Sequence, residues 1–288
     1  MTDHHAASVL ITSLLPFQCL EAPFMQQALI GLLLLAPMAA AMGVQVVTFR
    51  MAFFADAISH SAFAGVALGL IFSINPHWSM LIFGLLVGLI IMMVQRHTTL
   101  SSDTVIGVFF SGVIAFGLAV VSRDRNAARD LQRFLYGDIL TIGDDTIAAL
   151  LILFAVIMLF QAWGYNRMLY IGFNPLLAQV HKVRVAVYQY LFAALLSLVV
   201  IFAVWAVGVL LVTALLIVPA ATARNMARSA GSMFWWSLAV SLSSAVAGLI
   251  ISAQEWANTA TGATVILVAS GWFCLSLMIN CRRSGCLS

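Results

Sequence analysis

Asp56 and His60 stand four residues apart in the run Arg50 to Gly69, R-M-A-F-F-A-D-A-I-S-H-S-A-F-A-G-V-A-L-G. On a helix that spacing puts both side chains on one face. A carboxylate oxygen and an imidazole nitrogen placed so can ligate one divalent transition metal. The run is apolar and long enough to enter a bilayer, where an ionisable group costs roughly 3 kcal/mol or more and marks function by default. The other acidic residues, Asp3, Glu21, Asp103, Asp124, Asp130, Asp138, Asp144, Asp145 and Glu255, fall in expected loops or at the N-terminus. Of the six histidines, only His60 lies inside an apolar segment. The structural alternative is a neutralised polar pair that holds helices together.

Two ligands are too few for a zinc site, which takes four. A symmetric homodimer supplies the missing pair: two Asp56 and two His60 meeting across a twofold axis make an O₂N₂ set. Ala52, Ala55, Ala57, Ser59, Ser61, Ala62, Ala64, Gly65, Ala67 and Gly69 surround the pair, and Gly65 and Gly69 form a G-x-x-x-G step that permits close helix approach. If the pair lies on a transport path, the metal is cargo rather than a resident cofactor, and must bind firmly enough to enter and loosely enough to leave. Asp56 supplies charge, and His60 must be neutral to ligate.

Other chemistry is excluded by simple absences. The sole lysine is Lys182, preceded by His181, so no G-x-x-x-x-G-K-[ST] phosphate loop exists. Neither H-E-x-x-H nor G-x-S-x-G occurs, and the four cysteines include no C-x-x-C pair. The chain reads as a non-enzyme, with any ATP hydrolysis supplied by a separate subunit.

The elements that must position Asp56 and His60 follow from composition. The chain of 288 residues is 63% hydrophobic and 8% charged, against about 25% charged for a soluble domain. It belongs in a lipid bilayer, and its net charge of +3 supports no nucleic-acid partner. Apolar stretches near the 20 residues that span a membrane fall at 27–48, 52–73, 78–95, 104–122, 146–165, 186–204, 207–223, 233–252 and 263–281. The fold class is therefore all-α, a polytopic transmembrane bundle of eight or nine helices, one fewer if a segment is re-entrant. Residues 1–26 are a lead-in, outside or interfacial; 27–281 form a single transmembrane domain; 282–288 are a tail.

Alternate loops divide the basic residues unequally. Arg50, Arg96, Arg167, Lys182, Arg184, Arg224, Arg228, Arg282 and Arg283 fall on one side; Arg123, Arg125, Arg129 and Arg133 share one loop on the other. The richer side is expected to be cytoplasmic, which puts the N-terminus outside and the C-terminus inside. Residues 127–136 read as a short amphipathic helix at the outer surface, either part of a gate or docking face or a plain connector. In 166–184, Gly172-Phe173-Asn174-Pro175 breaks one helix and starts another, expected over Leu176 to Val183. Arg50 marks a cytoplasmic segment end or neutralises an empty site. Pro219 can kink its helix.

Three stretches resemble the permease family of bacterial ABC importers for zinc, manganese and iron. They are Arg50 to Gly69, Phe134-Leu135-Tyr136-Gly137-Asp138, and Leu215-Leu216-Ile217-Val218-Pro219-Ala220-Ala221-Thr222-Ala223-Arg224. The resemblance covers roughly residues 25 to 278. It implies a bacterial inner-membrane protein working as paired permease subunits, with a cytoplasmic ATP-binding subunit dimer and an extracytoplasmic metal-binding protein. It implies a coupling role for Asn174, Pro175, Leu176, Ala178 and Lys182 in loop 166–184, although an ordinary helix connection also fits that length. It implies that Pro219 shapes the pathway wall or gate. The first and second stretches look nearer to zinc members, with manganese or iron as alternatives. A proton-coupled secondary carrier is the competing class. It calls for several intramembrane acids, where this chain has Asp56 alone. A structural subunit without a transport path leaves the Asp56 and His60 pair unexplained.

Overall fold

The computed structural model describes residues 22–122, 143–254 and 259–283, and they form ten helices. In chain order these are α1 (Pro23–Thr48), α2 (Phe54–Ile71), α3 (Pro76–His97), α4 (Ser102–Val121), α5 (Asp144–Phe173), α6 (Pro175–Val180), α7 (Val185–Val207), α8 (Val209–Met226), α9 (Ala230–Ser252) and α10 (Thr261–Arg283). Among the described residues all but α6 are long and apolar enough to cross a membrane, nine helices in all. In hydrocarbon every backbone polar group must be satisfied within the segment, which is why these stretches are helices.

Local chemistry sets the ends. Proline opens α1, α3 and α6, where its missing N–H costs nothing. The Asn75 side chain accepts from His77 N at 3.0 Å, and that of Asn174 accepts from Leu176 N at 2.9 Å and Leu177 N at 3.3 Å. Ser229 and Ser232 form a reciprocal capping box on α9. Helices α1, α2 and α6 close in the Schellman pattern, with Met51 N on Val46 O at 3.0 Å, Ile74 N on Gly69 O at 2.9 Å and Val183 N on Ala178 O at 3.0 Å. The left-handed position of that motif usually takes glycine. Here it holds Arg50 (φ 55°), Ser73 (φ 54°) and Lys182 (φ 59°), each at a cost of roughly 1 kcal/mol. Between α7 and α8 a single residue, Gly208, turns the chain at φ 86°, a conformation that disfavours any Cβ.

Helix α2 lies between α3 and α4, and α7 backs α3. Helix α1 packs on α5, α8 and α9, and α10 covers α8 and α9. Lipid removes most of the hydrophobic drive for helix association, so close contact and interhelical hydrogen bonds carry it. The Ser237 and Ser241 hydroxyls of α9 donate to the carbonyls of Ala40 and Ala36 on α1 at 3.2 and 2.8 Å. A Cβ on Gly43 would lie 2.0 Å from Leu216 O of α8. One end of the bundle gathers basic residues. Arg50 and Arg224 line one cavity there, and Arg96 lines a neighbouring one that shares Phe49, Pro175 and Gln189 with it.

Most boundaries shift by a few residues from the sequence expectation, and three of the shifts have a plain local cause. Helix α1 begins at Pro23 rather than residue 27, inside the stretch read as lead-in, because proline is a favourable first helical residue. Helix α5 continues to Phe173 rather than stopping at 165. Its 30 residues span about 45 Å, more than a bilayer core of about 30 Å. A helix that leaves the membrane no longer needs apolar residues and runs on until Asn174-Pro175 stops it. Helix α6 is Pro175–Val180, not Leu176 to Val183, because Lys182 takes the left-handed conformation that ends it. The expected surface helix at 127–136 and the Phe134 to Asp138 stretch lie outside the described residues, as does most of the lead-in.

Candidate metal site

Asp56 lies in the first turn of α2 and His60 one turn further on. Both are half-buried, whereas Ala55, Ala57, Ile58, Ser59, Ser61 and Ala62 are buried. The stripe Asp56, His60, Phe63 is therefore a partly open face in the otherwise buried stretch from Phe54 to Ala67.

Two aromatic rings fix the imidazole. Phe63 stacks on it at 5.8 Å between centroids with an interplanar angle of 21°. Phe110 of α4 meets it edge-on at 5.1 Å and 82°. Helix α4 packs on α2 beside it, with Gly117 against Ala64, where an added Cβ would make ordinary contact at 3.6 Å from the Ala64 Cβ. On the other side of α2, a Cβ on Gly65 would sit 2.7 Å from Met80 Cα, and the Ser79 hydroxyl donates to Gly65 O at 2.7 Å. The G-x-x-x-G step thus seats α3 of the same chain and leaves the Asp56 and His60 stripe free of it.

Among the described residues no third His, Cys, Asp or Glu joins the pair into a metal-binding group. One chain thus presents a carboxylate and an imidazole on a half-open face. A zinc site takes four such ligands.

The other expected residues lie elsewhere. Arg50 lines the basic-end cavity with Arg224, and neither Asp56 nor His60 lines that cavity. Pro219 is buried within α8. Asn174 caps α6, Pro175 opens it, and Ala178 faces the bundle at 1% exposure. Leu176 and Lys182 are exposed. A search for ionisable groups in apolar segments passes over Phe63 and Phe110, which are typed as ordinary core. It also passes over Gln45 and Gln161, a buried pair joining α1 to α5 through a 2.8 Å bond from Gln45 Nε2 to Gln161 Oε1. A scan for uncharged amides within spans would have found that pair.

Comparison with known proteins agrees with this architecture. The model of the family described as "ABC 3 transport family" matches residues 21–280. The chain is 33% identical over 250 residues to the high-affinity zinc uptake system membrane protein ZnuB of Haemophilus influenzae, covering 87% of this chain and 95% of that one. It is 35% identical over 256 residues to the manganese import system permease protein ScaB of Streptococcus gordonii, covering 89% and 91%. A chain of PsaBC from Streptococcus pneumoniae, solved in complex with Fab, superposes with a TM-score of 0.74 at 32% identity over 94% of both chains. The protein is therefore a multi-pass membrane protein and belongs to the ABC 3 transport family.

Proposed function

We propose that this chain is the permease subunit of an ATP-driven importer for a divalent transition metal, zinc foremost, in a bacterial inner membrane. The observation that carries the reading is the half-open stripe of Asp56 and His60, the sole Asp and His pair one turn apart within the described spans. Two copies of the chain bring two such stripes together and complete an O₂N₂ site. Separating the copies dismantles it and releases the ion, as transport demands. An extracytoplasmic metal-binding protein delivers the metal. A cytoplasmic ATP-binding subunit dimer supplies the energy through α6, which lies at the basic end expected to be cytoplasmic.

The similarity to ZnuB and the imidazole ligand support zinc. The equal similarity to manganese permeases supports manganese as a second reading, and a carboxylate suits it. Uptake of radioactive zinc and manganese decides between them. The cells should lack their own high-affinity importers and express this chain with its ATP-binding and metal-binding partners. Zinc accumulation that disappears in His60→Ala supports the first reading, and manganese accumulation that disappears supports the second. Uptake by the chain alone in liposomes under a pH gradient would instead make it a secondary carrier.

A further inference from the structure

Helix α6 presents an unusual surface. Leu176, Leu177 and Val180 are 71%, 58% and 77% exposed, and Phe173 just before them is 81% exposed. They stand at the basic end, beside His181, Lys182 and Arg184, rather than on a face of a spanning helix. Next to this apolar knob opens a cavity of about 490 Å³, lined by Phe49, Arg50, Gly172, Phe173, Pro175 and Arg224 among others. Among the described residues its lining holds two guanidinium groups and no carboxylate. Arg96, at the neighbouring cavity, is already engaged: it donates to Gln189 Oε1 at 2.6 Å and lies over the Tyr190 ring.

Arg50 also occupies a left-handed position (φ 55°) that glycine would fill without strain. A guanidinium offers a fork of donors that matches a carboxylate in two parallel bonds.

We infer that Arg50 and Arg224 form a paired acceptor site for a carboxylate side chain of the ATP-binding subunit, inserted beside α6 while Leu176, Leu177 and Val180 enter an apolar groove. The inference rests on the reading that α6 is where that subunit engages. It adds the chemistry of recognition: an apolar groove flanked by an aspartate or glutamate. The two arginines set which ATP-binding subunit is accepted, and the apolar knob supplies the contact area.

The test uses the full chain in nanodiscs and the ATP-binding subunit of its importer, with affinity measured at 100 and 500 mM NaCl. Arg50→Gly removes the guanidinium and relieves the left-handed strain, so its thermal midpoint should hold or rise. Combined with Arg224→Gln, it should weaken binding at least tenfold at low salt and flatten the salt dependence. Unchanged affinity and unchanged salt dependence in the double variant overturn the inference. So does unchanged affinity together with loss of bound phosphatidylglycerol, which would assign the site to a lipid headgroup. If the wild-type chain binds no ATP-binding subunit, the underlying reading of α6 fails, and the inference fails with it. That outcome is distinct because it appears before any substitution is made.

Discussion

The edge of the Phe110 ring meets the His60 imidazole at 5.1 Å between centroids and 82°. A residue of α4 therefore bears on the orientation of His60, the ligand proposed on α2. The imidazole has rotational freedom about its side-chain bonds, and Phe63 and Phe110 together restrict it. A metal then meets a ring already held, and little ordering is left to be done on binding.

Removing Phe110 should weaken metal binding without removing a ligand. An aromatic pair contributes about 0.5–1.5 kcal/mol beyond its burial. Phe110→Ala should thus lower metal affinity by roughly two- to tenfold, and Phe110→Tyr should lower it less. Competition with a chromogenic chelator reads this directly. An affinity unchanged in Phe110→Ala would mean that the ring is simple packing.

Most of the bundle was legible in the sequence, as were Asp56 and His60, on which the proposed site rests. Spans are legible because a bilayer demands long apolar helices, and Asp56 and His60 stand out in them as ionisable. The ends of α5 and α6 were not legible, since hydropathy marks where a helix leaves lipid and not where its hydrogen bonds stop. The extension of α5 to Phe173 depends on Asn174 and Pro175, and the stop of α6 on the left-handed Lys182. Phe110 was invisible for another reason. Its role comes from the approach of α4 to α2 at Gly117 and Ala64, a contact between segments that no local pattern encodes.

Acid should weaken binding at the site. A histidine ligates as neutral imidazole, so protons compete with the metal for His60 and, more weakly, for Asp56. Lowering the pH from 7.5 to 5.5 should therefore reduce affinity, approaching tenfold per pH unit for each imidazole once below its pKa. In a paired site the steepest slope approaches two imidazoles. Metal titrations across this range check the sign and the slope. Affinity that rises on acidification would contradict a His60 ligand.

Close helix contacts should tolerate no added methyl group where backbone stands opposite. A Cβ at Gly43 meets Leu216 O at 2.0 Å and C at 3.0 Å, so the α1 and α8 backbones must part. Gly43→Ala should destabilise the protein by about 1–3 kcal/mol. At Gly107, where nothing lies within 4 Å of the added Cβ, alanine should be neutral or slightly stabilising, as in an ordinary helix interior. Thermal midpoints of the two variants in one detergent should fall clearly for Gly43→Ala and hold for Gly107→Ala.

Gly208 makes a second, conformational demand. Its φ of 86° between α7 and α8 strains any residue with a Cβ. Gly208→Ala should cost roughly 1 kcal/mol or more, with a lowered thermal midpoint. A midpoint equal to wild type would show that the α7 to α8 turn can relax.

The central claim is that two chains share one metal through Asp56 and His60. Equilibrium dialysis of the purified chain in nanodiscs against radioactive zinc, followed by metal-to-protein stoichiometry, tests it most directly. The account predicts one ion per two chains for the wild type, and none retained at the same free zinc by Asp56→Ala or His60→Ala, with both variants still folded and paired. One ion per chain, or wild-type occupancy in both variants, would contradict it and place the metal on other residues.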